Sequence, residues 1–96
     1  MVSDVDDRFY ERADAHIDLS NTQLKDIGAG KVSASMMYAN ARFAAWISAT
    51  WCADGEEMTR RRADSIDFFV TQFRLMLEEN YDDYNGRFDA YIHGPA

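Results

Sequence analysis

The stretch that decides the fold is Asp64-Ser65-Ile66-Asp67-Phe68-Phe69-Val70-Thr71-Gln72-Phe73-Arg74-Leu75-Met76-Leu77-Glu78-Glu79-Asn80-Tyr81-Asp82-Asp83-Tyr84-Asn85-Gly86-Arg87-Phe88-Asp89-Ala90-Tyr91. Within it Ile66, Val70, Phe73, Leu77, Tyr81, Tyr84, Phe88 and Tyr91 recur at steps of four, three, four, four, three, four and three. At roughly 100° per residue all eight fall on one narrow face of an α-helix. Asp64, Asp67, Thr71, Glu78, Asp82 and Asp89 are expected on the opposite side. Asn85-Gly86 would ordinarily mark a turn. A turn would reset the phase, and the phase holds through Tyr84, Phe88 and Tyr91. The reading is therefore one continuous helix with an exposed glycine at position 86 that costs about 1 kcal/mol.

Working outward, Ala53-Asp54-Gly55 is a short connection, and Asp54 with Glu57 reads as an acidic capping pair at the start of this helix. A second helix is predicted over residues 34–52. Ser33 is its expected N-cap, with Val32 stapled onto Met37. Its expected inner face is Val32, Met36, Ala39, Asn40, Phe43, Ile47 and Thr50, and its back is Ala41, Ala45, Ser48, Ala49 and Cys52. Arg42 is its only charge after the cap. A helix apolar on most sides is buried on most sides. A first helix is predicted over residues 5–27, with Val5, Phe9, Ala13, His16, Ser20, Leu24 and Ile27 on one face. Asp4 is its expected N-cap, and Gly28-Ala29-Gly30 its stop. The chain then reads as one domain, residues 1–96, holding an all-α three-helix up-down-up bundle with helices over 5–27, 34–52 and 55–91. At 1.5 Å per residue the last helix would be about 55 Å long, against about 35 and 29 Å for the others.

Composition narrows the function classes. Ninety-six residues suffice for one small core. With 47% hydrophobic residues and one proline, the chain is neither disordered nor collagen-like. The net charge of −7 repels phosphate and anionic lipid headgroups, so neither nucleic acid nor a membrane is an expected partner. A single cysteine, Cys52, allows no internal disulfide. No secretory signal or bilayer-spanning run is evident, so a cytoplasmic protein is expected.

Four segments carry a family resemblance: Asp6-Asp7-Arg8-Phe9-Tyr10-Glu11-Arg12-Ala13-Asp14, Gly30-Lys31-Val32-Ser33-Ala34-Ser35, Ala41-Arg42-Phe43-Ala44-Ala45-Trp46, and Met76-Leu77-Glu78-Glu79-Asn80-Tyr81-Asp82-Asp83-Tyr84. Together they resemble a family of small proteobacterial proteins, number 3144 in the domain-of-unknown-function series. The resemblance implies a bacterial helical protein. It brings no activity and no functional residues.

Few residues offer chemistry. His16 on the inner side of the first helix could act as base or ligand, but a core histidine hydrogen-bonded to a neighbour such as Asn40 is the plainer expectation. The residue three before it is Ala13, so the Glu-x-x-His spacing of a helical metal site fails. Arg42 could clamp an anion, or pair with an internal carboxylate, or stack on Tyr38 or Trp46. The internal pair is expected; Arg42 lining an open cavity with no internal carboxylate would instead favour ligand binding. Glu78, Glu79, Asp82 and Asp83 read as a solvated surface, and Cys52 as a small core or interface residue. No cofactor or metal is expected.

The sequence therefore predicts a non-catalytic protein-interaction or scaffold module. Its alternative is a small-ligand binder or enzyme with a site at His16, Asn40 and Arg42; an acidic mimic of nucleic acid is a distant third. A homodimer is expected, with Ala41, Ala45, Ala49, Tyr81, Tyr84, Phe88 and Tyr91 at its interface, and an unidentified protein partner is allowed for beside it.

Overall fold

The computed structural model describes residues 5–94 and is all-helical over them. The elements are α1 (Phe9–Gln23), α2 (Ala29–Thr50), α3 (Gly55–Arg60), α4 (Arg62–Gly86) and α5 (Phe88–Ile92). They divide into two units, residues 1–54 with α1 and α2, and residues 55–96 with α3, α4 and α5.

In the first unit, α1 starts four residues later and ends four earlier than predicted. The expected cap Asp4 lies outside the described residues. Asp6 organises the entry instead: its Oδ1 accepts from the Arg8 amide at 3.1 Å and from Arg12 Nη2 at 3.0 Å, and its carbonyl accepts from the Phe9 amide. Arg12, with help from the Arg8 amide, holds the Asp6 carboxyl below its ordinary pKa. The glycine pair is not a stop. Gly28, extended at φ −67° and ψ 152°, is the N-cap of α2, whose first residues are Ala29 and Gly30. The Gly28 carbonyl accepts from Lys31 and Val32, so α2 begins four residues before the predicted Ser33 cap. α1 and α2 pack on each other, and among the described residues Val32, 5% exposed, is the buried hydrophobic.

In the second unit the predicted single helix is interrupted at two residues, of which Arg61 keeps right-handed helical angles (φ −89°, ψ −1°) and Arg87 leaves them. Arg61 separates α3 from α4, and Arg87, at φ −126° and ψ 36°, separates α4 from α5. Helical hydrogen bonds bridge both: Arg61 N–H to Glu57 O at 3.0 Å and Ser65 N–H to Arg61 O at 2.9 Å, then Arg87 N–H to Asp83 O and Tyr91 N–H to Arg87 O, both at 3.1 Å. Asn85 and Gly86 are helical, as the phase required; the break falls one residue beyond them. Past Ile92 the chain leaves the helix but stays against it at His93 and Gly94. His93 donates its amide to Asp89 O at 2.9 Å, its ring meets Phe88 edge-on, and Gly94 lies so close to the Ala90 carbonyl that a side chain there would collide with it.

Candidate interaction surface

The faces that are covered differ from those expected. On α4 the half-buried residues are Ser65, Phe69, Gln72 and Met76, whereas all eight stripe residues, in α4 and α5, are 42–69% exposed. Periodicity places apolar side chains in line; it does not say which neighbour they meet. The covered line is turned by about one residue, roughly 100°, from the apolar one. By the same wheel Asp67 flanks the stripe at about 80° rather than opposing it.

α2 is turned too, in the opposite sense. Ala44, Ile47, Ser48 and Cys52 are half-buried, while Phe43, assigned to the inner face, is 60% exposed. The small residues Ala41, Ala45 and Ala49 are exposed. Cys52 sits beside them with its Sγ donating to Ser48 O at 3.3 Å.

Of the three residues of the predicted ligand site, Arg42 borders an open depression that neither His16 nor Asn40 lines. His16 and Asn40 are both exposed, and no hydrogen bond joins them among the described residues. His16 is thus not a core histidine; its carbonyl, not its ring, accepts from Ser20 Oγ. Arg42 departs from expectation too. Among the described residues the ion pairs are Arg12–Asp6, Arg61–Glu57, Arg74–Glu78 and Arg87–Asp83, and none includes Arg42. Nor does it lie over Tyr38 or Trp46, the guanidinium–ring contact being that of Arg87 over Tyr91. Arg42 borders a shallow open depression on α2 with Ala39, Phe43, Ala45 and Trp46. The Phe43 and Trp46 rings lie 5.5 Å apart.

The end of the stripe holds a polar cluster that sequence reading passed over. Tyr91 donates its hydroxyl to Asp83 Oδ2 at 2.6 Å, Arg87 Nε donates to Asp83 Oδ1 at 3.1 Å, and Arg87 Nη2 reaches the Tyr91 hydroxyl oxygen. Tyr84 stacks on Tyr91 with centroids 4.3 Å apart. The Tyr91 hydrogen bond, and then Arg87, hold the Asp83 carboxyl below its ordinary pKa; the same carboxylate raises the Tyr91 phenol. The signal was present as i, i+4 and i+8 spacing of Asp83, Arg87 and Tyr91.

No group of three His, Cys, Asp or Glu side chains among the described residues could hold a metal ion. No helix among them is long and apolar enough to cross a membrane. What the site offers is apolar and aromatic surface, edged by charge.

Residues 9–85 match the family described as Protein of unknown function (DUF3144). The chain belongs to the DUF3144 family. A solved structure, the NMR structure of the protein NB7890A from Shewanella sp, is similar to it with a TM-score of 0.78 and 34% identity, over 96% of this chain and 98% of that one. The Shewanella similarity fits the proteobacterial range that the resemblance implied. No curated protein matches the chain. The DUF3144 match thus spans most of α1 to α4, including Arg42, Phe43 and Trp46, and the similar structure extends the likeness to nearly the whole chain.

Proposed function

We propose that this DUF3144 chain is a non-catalytic interaction module, an up-down-up helical bundle that completes its core by pairing with a second copy. The observation that carries this reading is the exposure of the whole α4–α5 stripe, Ile66 through Tyr91, rather than of its last turns alone. Soluble monomers rarely leave so long an apolar line wet. Twofold pairing is the commonest closed solution, with Ala41, Ala45 and Ala49 offering close helix approach and Tyr81, Tyr84, Phe88 and Tyr91 the aromatic contacts. A cytoplasmic setting belongs to this reading, supported by the single thiol, Cys52.

Multi-angle light scattering across micromolar concentrations tests it. A mass near twice 11.0 kDa is expected. A monomer in which the stripe tyrosines are protected from solvent would overturn it.

A second reading is favoured by one observation, the carboxylate-free depression at Arg42. It makes Arg42 an anchor for a small anion, without His16 or Asn40. Thermal-shift screening with small carboxylates and phosphates tests it, and no shift at millimolar concentration would dismiss it.

A further inference from the structure

We infer that the Arg42–Phe43–Trp46 patch of α2 is the counter-surface for α4 of a second copy, and that Arg42 there receives the carboxylate of Asp67. The inference rests on self-association and goes beyond it by naming the two faces and the pair that sets their register.

Four features of the patch point to a helix rather than a small molecule. One helix supplies all five residues that border the depression, so it is a surface and not a cleft. Phe43 and Trp46 are each 60% exposed, and their neighbouring rings present one broad apolar area. Ala39 and Ala45 add only methyl groups, which lets another backbone approach. Tryptophan and arginine together are the side chains in which interface binding energy concentrates.

Charge selects the occupant. Arg42 has no carboxylate within ion-pair reach among the described residues. A partner that covers the patch desolvates Arg42, so it is expected to bring a carboxylate embedded in apolar surface. The chain has seventeen acidic residues against ten Lys and Arg, so a second copy presents the complementary sign. On α4 the choice narrows. Glu78 and Asp83 are held by Arg74 and Arg87. Asp64, Glu79 and Asp82 lie about 140–160° around the wheel from the stripe, on its far side. Asp67 alone of the remaining α4 carboxylates edges the stripe. It stands between Ile66 and Phe68, one turn before Thr71 and one after Ala63, with no ion pair among the described residues. Seating the Ile66–Val70–Phe73 line on Phe43 and Trp46 carries this carboxylate to the rim of the patch where Arg42 projects. A twofold axis repeats the pair, so each dimer holds it twice.

A charge-swap experiment tests the pair by sedimentation equilibrium in low salt. Arg42→Glu alone sets Glu against Asp67 twice per dimer, and Asp67→Arg alone sets two arginines together. Each is expected to weaken dimerisation at least about tenfold, with helicity by circular dichroism unchanged because both positions are exposed. An equimolar mixture of the two variants satisfies both pairs across the heterodimer and should recover wild-type affinity. Arg42→Glu mixed with Asp14→Arg should not recover it, which separates the pair from net charge. If wild type itself is monomeric, self-association fails and this inference with it. If wild type dimerises and neither single variant weakens it, self-association stands and this assignment is wrong. If only the double variant in one chain restores the dimer and the mixture does not, the pair is internal to the chain, and the inference is overturned.

Discussion

Tyr91 of α5 hydrogen-bonds Asp83 of α4 across the unwound residue Arg87, hydroxyl to Oδ2 at 2.6 Å. The two side chains are eight residues apart, two helical turns, and Arg87 between them binds both. The cluster thus spans the one point where the helix loses its regular backbone. It holds α5 in line with α4, and so keeps Phe88 and Tyr91 in phase with the apolar stripe.

The first prediction concerns pH. Asp83 titrates below its ordinary value, because the Tyr91 hydroxyl and Arg87 favour its charged form; Tyr91 titrates above its own, because the neighbouring carboxylate disfavours the phenolate. A depressed acid stabilises the fold above its unfolded pKa and loses that contribution as pH falls through the folded one. A raised phenol stabilises below its unfolded pKa, about 10, and loses its contribution as pH rises through the folded one. The cluster is therefore intact across neutral pH and opens at both extremes. Ultraviolet titration of tyrosinate should show one phenol ionising later than the rest, and Asp83→Asn should bring that phenol back toward about 10. Five tyrosines titrating together in the wild type would contradict it.

The second prediction concerns glycine in helices. Gly86 is helical, without positive φ, and a Cβ built there meets nothing within 4 Å. Gly86→Ala should stabilise by roughly 0.5–1 kcal/mol through reduced freedom of the unfolded chain and better helix propensity. Gly30, helical and equally unobstructed, should respond alike. Thermal melts of each variant and of the pair measure this; the two sites lie in different units, and their effects should add.

These two glycines also mark what could be read from residue order and what could not. Gly86 was legible, because an apolar phase that survives Asn85-Gly86 overrides a local turn signal. Gly30 misled, because a Gly-Ala-Gly run signals a helix end and a helix start alike. Only the extended backbone of Gly28 shows which glycine caps, and in which direction. Helix class followed from periodicity, but the side turned inward did not. α2 is apolar nearly all round, so Phe43 and Ala44 were equally plausible core residues. α4 carries its covered line, Phe69 and Met76, beside the stripe rather than on it. Arg42 was expected to find an internal acid because acids are abundant; abundance says nothing of reach. The cluster at Asp83 was missed because its carboxylate was read only against other carboxylates.

The third prediction tests the tail. Gly94 has an ordinary backbone, yet a side chain there would meet the Ala90 carbonyl. Gly94→Ala must displace the last turn, at a cost of about 1–3 kcal/mol if the turn holds. Because helix ends open easily, the expected result is local release. The His93 amide should exchange faster with solvent, and the Phe88–His93 ring contact should vanish from NMR spectra, while the melting temperature of the whole chain barely moves. An unchanged His93 amide would show that the close approach is not constrained.

The last prediction addresses the stripe itself. Leu77 lies at its middle, 51% exposed, one turn before Tyr81 and one after Phe73. As a wet residue on an isolated chain, Leu77→Glu should change stability by less than about 0.5 kcal/mol. At the centre of a dimer it should be severe. The substitution there removes an apolar side chain worth about 1.5–3 kcal/mol when fully buried, and it adds an unpaired charge, twice by symmetry. The same substitution therefore distinguishes the two states of the molecule. Light scattering should show the variant as an 11.0 kDa monomer where the wild type is a dimer, with its circular dichroism still helical. Glu79→Leu, on the far side of α4, serves as the control and should leave the mass unchanged. A Leu77→Glu variant that keeps the wild-type mass at every concentration would remove the stripe from the interface and leave α2 to account for any association.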